Sequence, residues 1–460
     1  MRRIPLLLAI LPLILAALAA FDARAGAQDA ALADFAGDWS GALAVGGQSL
    51  PLVLHVDPDA VPPVTLDSPN QGAFGLPAAE SAGEAVTDGA LTVSWPAIGA
   101  RYEGRLSEGG DTLTGTFRQG PAALPLTFER TAGAPAAPVR PQEPVPPLPY
   151  DEEAVSIDVP GTEVRLAGTL TMPRGEGPFP GVVLISGSGP QDRDETVLTH
   201  RPFLVLSDRL TRAGIAVLRY DDRGVAQSTG AFEGATSRDF AADAAAALRV
   251  LDARAETGAV GFVGHSEGGL VASLATVEAG AAPAFTVALA APFVPMAKII
   301  AQQVEDGLRA SGQPEPVVRA AVKTQNAILA AATSDADAAA RCAAVEAAAA
   351  GLSPAQQAEA RAFCGPWMQT ILSLDPVALH RRAGVPTLAL FGEKDVQVAA
   401  EPNAAAARGL ENVDVRVVGG ANHLFQSADT GAVAEYAQIE ETMQEDVMAD
   451  IATWIADAAR

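Results

Sequence analysis

Residues 259–269, with the sequence AVGFVGHSEGG, constrain the fold more than any other stretch of the chain. Their small and apolar first half predicts a buried strand, and Leu270–Thr276 predicts a helix directly after it. Between the two, Gly264, Ser266 and Gly268 form a G-x-S-x-G pattern. A serine at such a turn exposes its hydroxyl, and the glycines let neighbouring backbone approach closely. The pattern alone fits an inert serine in a tight turn equally well, so the rest of the chain has to decide.

The composition favours a globular protein that avoids nucleic acid. Hydrophobic residues make up 49% of the 460 residues and charged residues 19%, so the chain can bury a large core and form two domains. The formal charge of −24 repels phosphate backbones and anionic membrane surfaces. No nucleic-acid partner is expected.

The N-terminus has the pattern of a secretory signal peptide. Arginines at positions 2 and 3 precede an apolar run over 4–20, and small residues follow it. We expect the first 27 residues to be removed, with cleavage after Ala25 or Ala27, although an uncleaved membrane anchor is the alternative. The mature protein is then exported, periplasmic or secreted, without membrane insertion.

A change in hydrophobic pattern divides the mature chain in two. Residues 33–131 contain short strands separated by glycine- and aspartate-rich turns, which predicts an antiparallel β-meander built as a small barrel or a sandwich. Prolines then crowd 132–150, which favours an extended, semi-rigid linker. No catalytic group stands out in the first domain.

From 151 to 460 strands alternate with helices, which predicts an α/β domain with a mostly parallel sheet. Eight strand segments occur, and 434–459 has the periodicity of a single last helix. Residues 295–380 have no strand pattern, so they are expected to form a helical insertion between the sixth and seventh strands.

The two cysteines of the chain, Cys342 and Cys364, both lie in this insertion. They flank a predicted helix–turn–helix, and an exported chain allows them to form a disulfide; two buried thiols are the alternative. No histidine lies near them, so the sequence indicates no metal site, and no other cofactor is expected.

A serine nucleophile needs a histidine base, and the chain offers only five. His55 lies in the first domain, His200 precedes a helix, and His380 ends the helical insertion. His265 is part of the predicted elbow with Gly264 and Gly268, and its side chain is expected to point away from the serine. His423 follows the last strand in a glycine-rich loop, which makes it the candidate base.

The acid that orients this base should follow the preceding strand. Asp395 is the first choice there and Glu393 the second, because Glu393 is closer to the strand end. Backbone N–H groups should stabilise the oxyanion. Glu267, directly after the serine, is one expected donor, and Ser188, in the small-residue loop after the third strand, is the other.

Taken together, these segments resemble exported bacterial α/β-hydrolases of the serine aminopeptidase-like esterase group. The resemblance covers 151–460 and rests on five motifs: SGSGP at 186–190, RYDDRG at 219–224, GHSEGG at 264–269, GEKD at 392–395 and NH at 422–423. It implies a catalytic triad of Ser266, Asp395 and His423 in that chain order. It also implies a mostly parallel, eight-stranded sheet with a cap. The first domain resembles a module fused to such hydrolases.

The sequence therefore predicts a serine hydrolase that cleaves small-molecule carboxylic esters. Ser266 would form the acyl-enzyme, His423 would act as general base and acid, and Asp395 would orient it. An aminopeptidase or amidase using the same triad is one alternative. An envelope binding protein with an inactive hydrolase fold is another. The sequence leaves the natural substrate and the oligomeric state open.

Overall fold

The computed structural model describes residues 32–45, 48–68, 73–79, 86–87, 90–120, 122–131 and 140–460. The predicted signal peptide and the first half of the predicted linker, 132–139, lie outside these residues. The described chain forms two compact units. One comprises the described residues between Leu32 and Thr131, and the other comprises 140–196 and 200–460.

The first unit is an antiparallel sheet of nine strands, as the meander pattern predicts. The strands are β1 (Gly37–Val45), β2 (Gln48–Val56), β3 (Val64–Ser68), β4 (Ala73–Pro77), β5 (Val86–Thr87), β6 (Ala90–Trp95), β7 (Ala100–Leu106), β8 (Thr112–Gln119) and β9 (Ala122–Thr131). Their order is β4-β3-β2-β1-β9-β8-β7-β6-β5, so the first and last strands pair in the middle. Short 3-10 turns occupy Ala33–Phe35 and Pro96–Ile98.

Large aromatic side chains fill the core of this unit. Trp39, Trp95, Tyr102 and Phe128 are all fully buried. The Trp39 indole N–H donates to the carbonyl of Phe35 at 2.8 Å, so burial of the ring leaves its polar atom paired. Along β7, buried side chains alternate with exposed ones, as expected for a strand with one face in the core.

The second unit contains a sheet of eight strands. They are β10 (Asp151–Asp158), β11 (Arg165–Met172), β12 (Phe179–Ile185), β13 (Ala216–Tyr220), β14 (Thr257–His265), β15 (Thr286–Leu289), β16 (Thr387–Gly392) and β17 (Val413–Val418). The order is β10-β11-β13-β12-β14-β15-β16-β17. Pairings of β10 with β11 and of β11 with β13 are antiparallel, and all the others are parallel. This is the α/β-hydrolase fold, which confirms the predicted fold class.

Helices cover the sheet and form the insertion. They are α1 (Pro202–Arg212), α2 (Ser237–Asp252), α3 (Glu267–Val277), α4 (Met296–Ala310), α5 (Glu315–Ala332), α6 (Ala338–Ala349), α7 (Pro354–Ala360), α8 (Pro366–Leu372), α9 (Pro376–Ala383), α10 (Ala400–Ala407), α11 (Val433–Tyr436) and α12 (Glu445–Ala458). Helices α4–α9 lie between β15 and β16 and form the helical insertion that the sequence predicts.

The cysteine pair is bonded within this cap. Cys342 on α6 is linked to Cys364 at the end of the 3-10 turn Arg361–Cys364, with 5.3 Å between the Cα atoms. The disulfide closes the hairpin that contains α7. The alternative of two buried thiols is therefore wrong.

The last helix differs from the prediction, because α11 and α12 are separated by an irregular segment over 437–444. Side chains from the predicted linker satisfy backbone groups of this segment. Arg140 donates to the carbonyl of Ala437 at 2.9 Å, and the Gln142 side chain accepts from the N–H of Thr442 at 2.6 Å and donates to the carbonyl of Met443 at 2.7 Å. The second half of the predicted semi-rigid linker, from Arg140 onward, therefore belongs to the second unit.

Candidate active site

Ser266 lies at a strained turn between β14 and α3. Its backbone φ is 52° and ψ is −121°, a conformation that non-glycine residues rarely adopt. A Cβ at Gly264 would lie 2.3 Å from the carbonyl oxygen of Gly268, and one at Gly268 would lie 2.1 Å from that of Ile185. Glycine is therefore required at both positions. Ser266 is partly exposed although its neighbours in the turn are buried.

His423 and Asp395 are hydrogen-bonded to each other. The distance between His423 Nδ1 and Asp395 Oδ2 is 2.7 Å, and both side chains are buried. The other carboxylate oxygen of Asp395 accepts from the backbone N–H groups of Gln397 and Val398, at 2.7 and 2.9 Å. These bonds fix the position of the carboxylate. Because Nδ1 of His423 is bonded to this carboxylate, only Nε2 is free to exchange a proton with a neighbour.

Glu393, the second candidate for the acid of the triad, does not occupy the same position as Asp395. Its carboxylate accepts from the backbone N–H of Gly420 at 2.8 Å, in an exposed contact. Gly420 belongs to the loop that carries His423, so Glu393 contacts this loop without reaching the imidazole.

The remaining histidines have other partners. Burial lowers the pKa of both His200 and His380 to about 4, so both are neutral at pH 7. His200 contacts Thr442 at 3.0 Å, and His380 contacts Ser273 at 2.9 Å and stacks on a phenylalanine. In the first unit, His55 lies between two aspartates at 2.7 and 2.9 Å. Burial lowers its pKa, but the two carboxylates outweigh this effect and the pKa is raised.

The loop after β12 lies against residues 264–268, the predicted nucleophile turn. A Cβ at Gly187 would lie 3.2 Å from Cβ of Ser266. The hydroxyl of Ser188 donates to Oε2 of Glu267 at 2.7 Å. The two residues expected to supply oxyanion donors are thus adjacent, and their N–H groups as donors stay a prediction.

Glu267 is a buried carboxylate with three donors, which the sequence analysis did not anticipate. Besides Ser188, it accepts from the hydroxyl of Ser237 at 2.6 Å and from the indole N–H of Trp367 at 2.9 Å. Burial raises the pKa of Glu267 and these hydrogen bonds oppose the shift. Since Trp367 belongs to cap helix α8, this carboxylate links the cap to the nucleophile turn. An acidic residue at the first position of α3, inside an otherwise apolar helix, was the signal available in the sequence.

His265 is turned away from Ser266, and its ring contacts Glu195 and the backbone of His423. Glu195 was not selected from the sequence because it lies in a loop of several acidic residues, with nothing local to distinguish it. The pair was therefore missed.

Within the described ranges, no three or more histidine, cysteine, aspartate or glutamate residues are grouped so that they could hold a metal ion. Among the helices that the structure describes, none combines the length and apolar character needed to cross a bilayer.

Comparison with known proteins identifies relatives of the second unit. The family model described as "Serine aminopeptidase, S33" matches residues 201–426, just under half of the chain, and this span contains Ser266, Asp395 and His423. The curated Esterase EstD of Thermotoga maritima is 24% identical over 323 residues, covering 68% of this chain and 69% of the relative.

Solved structures of similar proteins align at lower identity. Est1E of Butyrivibrio proteoclasticus, bound to ferulic acid, is 16% identical, with a TM-score of 0.41 over 66% of this chain and 99% of its own. An esterase of Pyrococcus furiosus is 15% identical, with a TM-score of 0.42 over 71% and 100%. Proline iminopeptidase of Mycobacterium smegmatis is 12% identical, with a TM-score of 0.42 over 67% and 99%.

Proposed function

We propose that the second unit, which has the α/β-hydrolase fold, belongs to the serine aminopeptidase-like group and that the protein is a serine esterase acting on carboxylic esters. The observation that carries the proposal is the 2.7 Å bond between His423 and Asp395, formed by loops at the carboxyl ends of the strands that follow the nucleophile turn. The chain order Ser266, Asp395, His423 is that of α/β-hydrolases. The esterase relative from Thermotoga maritima supports the same substrate class.

In the proposed mechanism, the Ser266 hydroxyl oxygen attacks the ester carbonyl carbon while Nε2 of His423 takes the hydroxyl proton. Asp395 accepts from Nδ1, which holds the imidazole in the tautomer that leaves Nε2 as acceptor. The tetrahedral intermediate collapses, and His423 returns the proton to the leaving alcohol. Water then attacks the acyl-enzyme with the same histidine as base, which releases the acid and regenerates Ser266.

The oxyanion of the intermediate would be stabilised by the backbone N–H groups of Ser188 and Glu267. Glu267 is the first residue of α3, so its N–H belongs to the unpaired donors at a helix N-terminus. The hydrogen bond from Ser188 to the Glu267 carboxylate holds the two residues together. This bond supports their assignment to one site.

A second candidate activity is amide hydrolysis by the same triad. The description of the matching family as serine aminopeptidase favours it. An amine is a poorer leaving group than an alcohol, so the amide reaction depends more strongly on proton donation from His423. Esters and aminoacyl amides therefore have to be compared on one preparation.

We also propose that the protein is exported. Disulfides persist in oxidising compartments, and the bond between Cys342 and Cys364 agrees with the signal-peptide pattern of the N-terminus. The first 27 residues would be absent from the mature chain.

The test is hydrolysis of p-nitrophenyl esters, from acetate to decanoate, and of aminoacyl p-nitroanilides. Ser266→Ala should reduce kcat on the order of 10⁶-fold, to the limit of detection. Ser273→Ala is the matched control, because this serine lies on the same helix and its hydroxyl contacts His380. Its activity should be retained. Turnover of amides alone would replace the esterase by the amidase, and no turnover of either class would favour the binding protein with an inactive hydrolase fold.

A further inference from the structure

Glu195 and His265 form a buried pair that contacts two loops of the proposed site. Glu195 Oε1 lies 2.8 Å from Nδ1 of His265 and also accepts from the backbone N–H of Gly187 at 2.7 Å. Nε2 of His265 lies 3.0 Å from the carbonyl oxygen of His423. A continuous set of hydrogen bonds thus runs from the loop beside Ser266, through the pair, to the loop that carries the proposed base.

The hydrogen-bond partners determine how many protons the pair holds. The carbonyl of His423 can only accept, so Nε2 of His265 must carry a proton. An ionised carboxylate can only accept as well, so Nδ1 must also donate. A neutral imidazole has one N–H and cannot satisfy both contacts. Beside an ionised Glu195, His265 is therefore an imidazolium.

The backbone conformation of Glu195 and the burial of its carboxylate both cost free energy of folding. Its φ is 53°, in the left-handed region that a residue with a Cβ rarely adopts. The residue is 2% exposed, and its Oε2 has no hydrogen-bond partner among the described residues. A buried carboxylate with one unpaired oxygen needs a nearby positive charge, and His265 is the group that contacts it.

We infer that His265 is an imidazolium paired with an ionised Glu195, and that this pair positions the loops of Gly187 and His423 relative to Ser266. The inference rests on the proposed function for its kinetic consequence. His265 does not exchange a proton with the substrate; it acts through His423, whose ring centroid is 4.8 Å from its own. The pair holds the backbone on both sides of the nucleophile, so its loss displaces the base and the oxyanion loop together.

The charged and titratable groups around His265 come from three loops. They are Glu195 after β12, Asp395 after β16 and His423 after β17. Burial lowers the pKa of His265, but the carboxylate of Glu195, the His423 carbonyl and the charge of Asp395 raise it, and the net pKa is raised. The ring thus keeps its second proton at pH values where a free imidazole loses it. As pH rises through this pKa, the bond from Nε2 to His423 is lost first, because Nδ1 faces the carboxylate.

Glu195→Gln removes the negative charge of this side chain and keeps its size and shape. The glutamine oxygen can still accept from Gly187 and from Nδ1, but it does not stabilise an imidazolium. His265 should then be neutral at pH 7, and its Nε2 lone pair should face the carbonyl of His423. We expect kcat to fall about 10- to 100-fold with little change in KM, since small displacements of the reacting groups act on the chemical step. The alkaline limb of the kcat–pH profile should move to lower pH.

Asp208→Asn is the matched control. Asp208 is also a buried carboxylate; it pairs with two arginines of its own helix, α1, and accepts from the hydroxyl of Tyr150. Its replacement should lower stability without moving the kcat–pH profile. A thermal unfolding curve of each variant shows whether the protein is folded.

A direct readout that does not depend on activity is ¹⁵N NMR of the histidine rings, which is simple because the chain has five histidines. The signal that disappears in His265→Gln assigns the residue. In the wild type, His265 should keep both ring nitrogens protonated to a pH above the ordinary imidazole pKa of about 6.5, and Glu195→Gln should shift this titration below that value. A wild-type His265 that titrates at or below its ordinary pKa would overturn the inference. An unchanged kcat–pH profile in Glu195→Gln would do the same. The Ser266→Ala result reports on the proposed function separately.

Discussion

At the scale of single residues, the carboxylates near the predicted nucleophile turn have different surroundings, which give them different tasks. Asp395 accepts from an imidazole and two backbone N–H groups, whereas Glu267 accepts from two hydroxyls and an indole. Glu195 pairs with His265, and Glu393 accepts from one backbone N–H in an exposed contact. The donor that each carboxylate meets, more than its distance along the chain from Ser266, decides what it can do in the reaction.

Asp395 and Glu393 lie on one loop, and their replacement should affect kcat differently. Asp395→Asn should reduce kcat by about 10⁴-fold, because the asparagine amide favours the wrong tautomer of His423. Glu393→Gln should change kcat no more than a few-fold, because a glutamine oxygen still accepts from Gly420. Steady-state kinetics on the preferred p-nitrophenyl ester measures both. If the two variants lost equal activity, the assignment of Asp395 would fail.

At the scale of elements, two bonds stabilise the cap: a hydrogen bond joins it to the core, and a disulfide lies within it. Trp367 on α8 donates to Glu267, the residue after Ser266, and this bond joins the cap to the core. The disulfide between Cys342 and Cys364 joins α6 to the turn before α8, and so fixes the hairpin from which α8 begins. The helix that reaches the site is thus supported by a covalent bond in the preceding hairpin.

Reduction of this disulfide should destabilise the cap. The two cysteines are 22 residues apart in sequence, and closing a loop of that size contributes about 3 kcal/mol in the chain-entropy treatment. Urea unfolding with and without dithiothreitol measures the change in the free energy of unfolding.

The control for reduction is the double variant Cys342→Ser and Cys364→Ser. It lacks the bond under both conditions, so dithiothreitol should leave its unfolding curve unchanged. An equal response of wild type and double variant to the reductant would contradict the stabilising role of the bond.

At the scale of the whole molecule, the features that the sequence could predict are those with a local pattern. The eight strands of the second unit and the helical insertion follow from runs of apolar residues and from their absence. The small number of histidines made His423 the remaining candidate base, and the structure brings it to Asp395.

What the sequence could not predict depends on contacts between distant segments. Glu195 and His265 are 70 positions apart, and nothing in either neighbourhood points to the other. The periodicity of 434–459 indicated one helix, but its first half instead has backbone groups bonded to Arg140 and Gln142. In both cases a side chain from elsewhere decides the local structure.

The buried ring of His200 should make the stability of the protein depend on pH in weak acid. Its ring is fully buried, and burial lowers its pKa to about 4, against about 6.5 in the unfolded chain. Above pH 6.5 neither state holds the extra proton. Between these two values the unfolded chain binds a proton that the folded protein does not, so the contribution of His200 to stability is lost as pH falls, at up to about 1.4 kcal/mol per pH unit.

His200→Gln isolates this contribution, because a glutamine amide can still donate to the carbonyl of Tyr436, which Nε2 of His200 contacts at 2.8 Å. Buried carboxylates with raised pKa values, such as Glu267, gain protons in the folded state and act in the opposite direction, but they are common to both proteins. Urea unfolding should therefore show that the wild type loses about 2 kcal/mol more than His200→Gln between about pH 8 and about pH 5, nearly all of it below pH 7. Between pH 7 and pH 8 the difference between the two should stay constant, since His200 is neutral in both states there. If the two proteins lost stability equally through the acidic range, His200 would have the same pKa in the folded protein as in the unfolded chain, and the lowered pKa would be contradicted.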